Sequence, residues 1–142
     1  MKVLVTGGAG FIGSHIVDIM IDNGYDVVAM DDLSSGKKEN VNPKAKFIEV
    51  DVTRADALTA LRKESPNFIV HHAAQISVSR SVKAPYLDAR TNIMGTLNML
   101  EASVQNKVKR FVFASSSSVY GEVKEYPEKE SFIPGPISPY AL

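Results

Sequence analysis

Thr6-Gly7-Gly8-Ala9-Gly10-Phe11-Ile12-Gly13 is the stretch on which the fold of this chain turns. It follows Lys2-Val3-Leu4-Val5, a short apolar run of the kind that a parallel strand covered on both faces requires. After it, Ile12, Ile16, Ile19 and Met20 form one apolar stripe, which predicts a helix over 11–23. Gly24 sits where a left-handed cap ends such a helix. In a strand, glycine turn and helix so arranged, a pyrophosphate meets backbone with no Cβ in the way. The N–H groups that open the helix then hold the anion. Two spacings fit, Gly8, Gly10 and Gly13 as G-x-G-x-x-G, or Gly7, Gly10 and Gly13 as G-x-x-G-x-x-G, with the same chemistry. Gly13 is expected to let helix and strand pack closely. The plain alternative is a glycine turn that carries no ligand.

Outward from this turn, short apolar runs alternate with amphipathic stretches. Strands are expected at Asp26–Met30, Lys46–Val50, Phe68–His71 and Arg110–Ala114. A short helix is expected over 54–63, ended by Ser65-Pro66, and a long one over 84–105 with Leu97, Leu100 and Val104 on one face. The polar stretch from Asp31 to Pro43 reads as a loop or short helix, and the proline-rich segment from 122 as irregular. This alternation predicts an α/β fold, a Rossmann-like, doubly wound parallel sheet in the order 3-2-1-4-5. Residues 1–121 would form the dinucleotide-binding domain and 122–142 an irregular arm. The distinctive residues fall just after the strands, where ligands bind on such sheets.

Composition narrows the function. The 142 residues carry 16 Lys and Arg against 16 Asp and Glu, so there is no positive field to recruit nucleic acid. No apolar stretch approaches the ~20 residues of a membrane span, and membrane partners are not expected. The absence of cysteine excludes disulfides, thiolate nucleophiles and Cys-ligated zinc, and makes the cytoplasm the default compartment.

Asp31 lies about 20 residues beyond the glycines, where a carboxylate accepts from ribose hydroxyls and repels a 2′-phosphate. NAD is therefore expected over NADP. Asp31 as a simple turn residue, and Lys37 and Lys38 as phosphate ligands, are the alternatives. Asp51-Val52 either meets adenine or caps the following helix. His71 and His72 are adjacent on a strand and point to opposite faces, so they do not share a metal. One is expected buried and hydrogen-bonded, the other facing the cofactor. Arg80, Lys83 and Arg90 read as phosphate ligands or as a solvated face, and His15 as packing or surface.

With the Gly7–Gly13 turn, Asp31-Asp32-Leu33-Ser34-Ser35-Gly36, Asp51-Val52, His71-His72-Ala73-Ala74-Gln75, Asn92-Ile93-Met94-Gly95-Thr96, Ser115–Gly121 and Ser138-Pro139-Tyr140 in order, the chain resembles the extended short-chain dehydrogenase/reductase family. The likeness is strongest to its nucleotide-sugar 4-epimerases, which interconvert UDP-glucose and UDP-galactose. The resemblance implies that Phe11 and Ile12 offer backbone to the pyrophosphate. Asp31, Asp32, Ser35 and Gly36 would hold the adenosine, and Asp51 and Val52 the adenine. Ala73, Ala74, Gln75 and Asn92 would line the cofactor. Ser116 and Tyr140 match the catalytic serine and tyrosine. Tyr140 would take the proton of the sugar 4-hydroxyl while hydride passes to NAD, the keto-sugar would turn over, and hydride would return to its other face. Ser117 and Ser118 stand where the related dehydratases carry Asp-Glu, which disfavours that chemistry. The family's lysine, four residues after the tyrosine, would fall beyond Leu142. The expectation is the NAD-binding portion of a longer enzyme, with little or no epimerase activity of its own and a homodimer in the parent. Uncovered apolar surface is expected to favour self-association or marginal stability. The alternatives are another nucleotide-sugar enzyme of the family (a dehydratase, decarboxylase or reductase) or a non-catalytic dinucleotide-binding module.

Overall fold

The apolar runs form five parallel strands. In the computed structural model, which describes all of Met1–Leu142, these are β1 (Lys2–Thr6), β2 (Asp26–Asp31), β3 (Lys46–Glu49), β4 (Phe68–His71) and β5 (Arg110–Phe113), in the order β3-β2-β1-β4-β5. Leu4 on β1 lies between Val28 of β2 and Ile69 of β4, and Val5 between Ala29 and Val70. Because side chains alternate across a strand, Val3, Val5, Val27, Ala29 and Val70 share one face, and Leu4, Val28, Met30 and Ile69 the other. The first face packs on Val17 of α1 (Phe11–Asp22); the second packs on Ala57 and Leu61 of α2 (Ala55–Glu64) and Met99 and Ala102 of α5 (Gly95–Gln105). Both faces are thus covered by helices, as the run of apolar residues in each inner strand demands.

The stripe expected on α1 does not face the core as a unit. Ile16 and Met20 pack against the sheet beside Val17, but Ile12 and Ile19 are 61% and 58% exposed. Gly13 and Ser14 are buried, which turns the helix about its axis relative to the expected stripe. The reason is steric: a Cβ at Gly13 would overlap the Gly7 carbonyl oxygen, so the glycine face is the one that seats on the turn. Gly13 therefore meets the turn rather than the strand.

The expected helix over 84–105 runs without a break from Pro85 to Gln105, with a π bulge inside it and every junction residue helical. Pro85 opens α4 (Pro85–Ala89), a π turn spans Arg90–Met94, and α5 follows; a separate α3 (Val78–Lys83) precedes them, capped by the Ser77 hydroxyl accepting from the Arg80 N–H. Leu97, Leu100 and Val104 do share one face, and it is solvent-exposed; Met99, Ala102 and Ser103 make the contact with the sheet. The arm from 122 is largely irregular, with 3₁₀ turns at Ser117–Tyr120 before it and Pro139–Ala141 at its end. No helix is long and apolar enough to cross a membrane.

Polar contacts fix both ends of the sheet. At the end away from the glycine turn, the nearly buried carboxylate of Glu64 closes α2 against Lys2 of β1, 3.2 Å away, and against Lys46 of β3. The Lys46 hydrogen bond, with help from Lys2, holds the Glu64 carboxyl below its ordinary range; the bond to Glu64 raises Lys2 in turn. At the other end His71 is buried between two hydroxyls, Thr6 Oγ1 at 2.7 Å from Nδ1 and Thr96 Oγ1 at 3.0 Å from Nε2. The Thr96 hydroxyl donates to the Asn92 carbonyl, and the Thr6 oxygen accepts the His72 and Ala73 N–H groups. Thr6 therefore donates to Nδ1, and the ring donates through Nε2–H to Thr96, which makes His71 the neutral Nε2–H tautomer. Burial, with the His72 charge second, lowers its pKa to about 4.

These contacts make two tests possible. Glu64→Gln is expected to cost about 1–2 kcal/mol in chemical denaturation, since Lys2 and Lys46 keep access to water. A stability equal to wild type would refute the role given to this cluster. His71 binds a proton more readily unfolded than folded, so its contribution is complete above about pH 6.5 and is lost as pH falls toward 4. That loss is about 3 kcal/mol. The same titration on His71→Asn should show a correspondingly shallower acid decline; an unchanged slope would refute the assignment.

Candidate functional site

One cleft of about 650 Å³ opens along the carboxyl ends of the strands. Its walls come from the glycine turn, the loops after β2, β3 and β4, the π turn, the Ser115-Ser116 end of β5 and the tip of the arm.

The turn resolves the two possible glycine spacings. Gly7, Gly10 and Gly13 line the cleft, with Phe11 and Ile12, whereas Gly8 is set back on Ala29 of β2. Gly7 has φ +67°, and a Cβ there would meet the Ala73 nitrogen and the His72 carbonyl group at 2.8–2.9 Å. The Gly10 N–H closes the turn on the Gly7 carbonyl at 3.1 Å, and Ser14 N–H takes the Gly10 carbonyl at 3.0 Å. The N–H groups of Phe11, Ile12 and Gly13 are left without a protein acceptor, and no side chain caps the helix. A cradle that any Cβ would fill, faced by three free N–H groups at a helix start, fits a pyrophosphate.

Asp31 stands beside it and does two things. One carboxylate oxygen accepts the Ala9 N–H at 2.9 Å and the other the Leu33 N–H at 2.8 Å, so it braces the glycine turn against the loop after β2. Each oxygen retains a further lone pair and Asp31 lines the cleft, so the turn role leaves the carboxylate able to accept from a ligand. Asp32 holds the Ser34 N–H and hydroxyl on one oxygen. Ser35 lines the cleft; Gly36 does not, because it packs on the Ala9 backbone, where a Cβ would stand 2.8 Å away. Asp51 takes the Thr53 N–H at 2.8 Å as a turn residue and faces the Arg90 guanidinium at 3.7 Å, while Asp51 and Val52 both line the cleft. Lys38 sits over the Phe47 ring, away from the wall.

After β4, His72, Ala73 and Ala74 line the cleft, and burial lowers the pKa of His72. Gln75 is turned away from it. The Gln75 side chain spans the Ser77 backbone, accepting its N–H and donating to its carbonyl, and Asn92 spans the Gln75 backbone in the same way. Both amides also donate to Asp88. Asn92 lines the cleft with its polar groups spent on the protein, and Gln75 serves from behind.

Ser116 and Tyr140 reach the same cleft from opposite directions. The Ser116 hydroxyl accepts the Ser118 N–H at 3.2 Å; Ser117 and Ser118 lie off the wall. The arm returns because Gly121, at φ +64°, lets the Gly135 carbonyl occupy the space that a Cβ would need, and Gly135 N–H bonds the Val119 carbonyl. The Tyr140 N–H then docks on the buried Ser81 hydroxyl of α3 at 3.2 Å. The formally charged side chains on the wall are Asp31, Asp32, Asp51 and Asp88, with neither Lys nor Arg among them. Residue patterning missed Asp88, although its i, i+4 spacing to Asn92 was readable, and missed the roles of Thr6, Ser81 and Thr96.

Known proteins share this architecture. The chain is 45% identical to a putative UDP-glucose 4-epimerase of Methanocaldococcus jannaschii over 141 residues, 99% of this chain and 46% of that protein. The UDP-glucose 4-epimerase of Thermotoga maritima, solved with UDP-glucose, superposes with a TM-score of 0.94 at 49% identity, covering 99% of this chain and 47% of that one. That of Thermus thermophilus, solved with NAD, gives 0.94 at 46% identity, with 99% and 46% covered. The chain thus spans a little under half the length of these relatives. The sequence profile of the NAD dependent epimerase/dehydratase family matches residues 3–142, and the chain belongs to that family.

Proposed function

We propose that this chain is the NAD-binding portion of a nucleotide-sugar 4-epimerase that interconverts UDP-glucose and UDP-galactose. The observation that carries the reading is the shared cleft, with an anion cradle at one end and Ser116 with Tyr140 at the other. When bound, NAD supplies reversible hydride acceptance from C4 of the sugar. Gly7, Gly10 and Gly13, with the N–H groups of Phe11, Ile12 and Gly13, hold its pyrophosphate. Asp31, Asp32 and Ser35 hold the adenosine ribose, with Gly36 closing the loop onto the turn. Asp51 and Val52 take the adenine, and Ala73 and Ala74 line the inner wall, with Gln75 and Asn92 fixing the loop that carries them. Tyr140 takes the proton of the sugar 4-hydroxyl, and Ser116 holds that oxygen by hydrogen bonding.

Residues 1–121 form the dinucleotide-binding unit in this reading, and 122–142 the arm that delivers Tyr140. The exposed Leu97, Leu100 and Val104 face suits pairing of two copies in the parent, and the cysteine-free composition suits the cytoplasm.

Calorimetric titration should show NAD binding, with NADP at least about ten-fold weaker because a 2′-phosphate meets Asp31 and Asp32. Gly13→Ala should weaken NAD by at least about ten-fold, since its Cβ displaces the turn. Equal affinity for both dinucleotides, or an unaffected Gly13→Ala, would overturn the placement. Because the chain spans under half the length of its relatives, the 142-residue chain with NAD is expected to show no measurable turnover of UDP-galactose; robust turnover would show that this portion suffices for catalysis and refute the expectation.

A further inference from the structure

Asp88 is 3% exposed, belongs to no ion pair and was not singled out by any sequence motif. A buried carboxylate without a cation is costly unless hydrogen bonds to it are good. One of its oxygens accepts from two amides, Gln75 Nε2 at 2.7 Å and Asn92 Nδ2 at 3.2 Å. The other takes no protein donor, and the residue lines the cleft.

A carboxylate only accepts, so it takes the NH₂ of both amides in the orientation that their backbone partners also require. With its NH₂ toward Asp88, Asn92 presents Oδ1 to the Gln75 N–H at 2.8 Å. With its NH₂ toward Asp88, Gln75 presents Oε1 to the Ser77 N–H at 2.6 Å. Each amide also donates to the carbonyl of the residue it spans. Two side chains thus run a short ladder along the backbone from Gln75 to Ser77. Ser77 caps α3, and α3 carries the Ser81 hydroxyl that receives the Tyr140 N–H. Flipping either amide would set NH₂ against N–H and break three bonds at once.

We propose that Asp88 is a positioning residue. By tying the Gln75 and Asn92 amides to α4, it holds the Gln75–Ser77 backbone, the adjoining wall of the cleft and the seat of α3 beneath Tyr140. The consequence for ligand binding rests on the reading of the cleft as an NAD site.

The test uses the chain labelled with ¹⁵N and ¹³C. Wild type should show dispersed side-chain NH₂ signals for Gln75 and Asn92, both coupled through the hydrogen bond to the Asp88 carboxyl carbon. Asp88→Asn, whose carbonyl oxygen can accept from both amides, should keep those signals dispersed and NAD affinity within about three-fold of wild type. Asp88→Leu should bring both signals to solvent-exposed positions and weaken NAD by about ten-fold or more. Absence of the couplings in wild type would overturn the proposal even if Asp88→Leu fails to fold. An Asp88→Leu protein that folds, with unchanged amide signals and NAD affinity, would overturn it equally. A wild type that binds no NAD but shows the couplings would refute the NAD reading and leave the positioning role standing.

Discussion

The site depends on a backbone-to-backbone contact. At Gly7 the turn after β1 lies so close to the end of β4 that a single added carbon would stand 2.8 Å from the Ala73 nitrogen. Thr6, one residue earlier, seals the same seam through its hydroxyl, which binds the His72 and Ala73 N–H groups and donates to His71. Two neighbouring parallel strands need not stay in contact beyond their last paired residues; here they are held there by a glycine with φ +67° and a threonine. The cradle end of the cleft is referenced to that seam. Gly13 packs on the Gly7 carbonyl, Asp31 and Gly36 close on Ala9, and His71 carries the connection across to Thr96 and the π turn.

Much of this was legible in the residues because the constraints are local. A glycine turn between an apolar strand and a helix has few other uses, and five apolar runs separated by helices leave few topologies once right-handed crossovers are required. The order of the strands, the seam glycines and the burial of one histidine beside a neighbour on the cleft followed from that logic, whereas Ser116 and Tyr140 were singled out only by the resemblance. What escaped was set by tertiary contact. Periodicity alone gave α1 its isoleucine stripe, but the small residues Gly13 and Ser14 decide which face seats on the turn. Leu97, Leu100 and Val104 look like a core face, yet the sheet takes the slimmer face of Met99, Ala102 and Ser103, where Gly95 comes within 2.8 Å of Val52 for an imagined Cβ. Gln75 and Asn92 read as ligand contacts, and their amides turn out to be committed to backbone. A side-chain amide is equally suited to either task, and only its tertiary contacts decide between them.

The charge on the wall constrains how an anion is held. Four aspartates and two histidines of depressed pKa supply no positive charge at neutral pH. A pyrophosphate must then be balanced by backbone N–H groups and the helix dipole, together worth on the order of a few kcal/mol when partly shielded from water. The turn has little room for any other arrangement, since a Cβ at Gly7 or Gly13 would run into backbone atoms.

The two ends of the cleft differ in how they are secured. The cradle is built from strand ends and the start of α1, all tied into the apolar sheet and its two cores. Tyr140 arrives on an arm held by the Gly121–Gly135 crossing, the Val119 carbonyl and the Ser81 hydroxyl, with Tyr126, Ile133 and Ile137 along it exposed. Free energies of local opening follow the number of buried contacts that must break. By that measure the arm opens before the cradle does, and the glycine turn keeps its geometry in conformations from which Tyr140 is displaced.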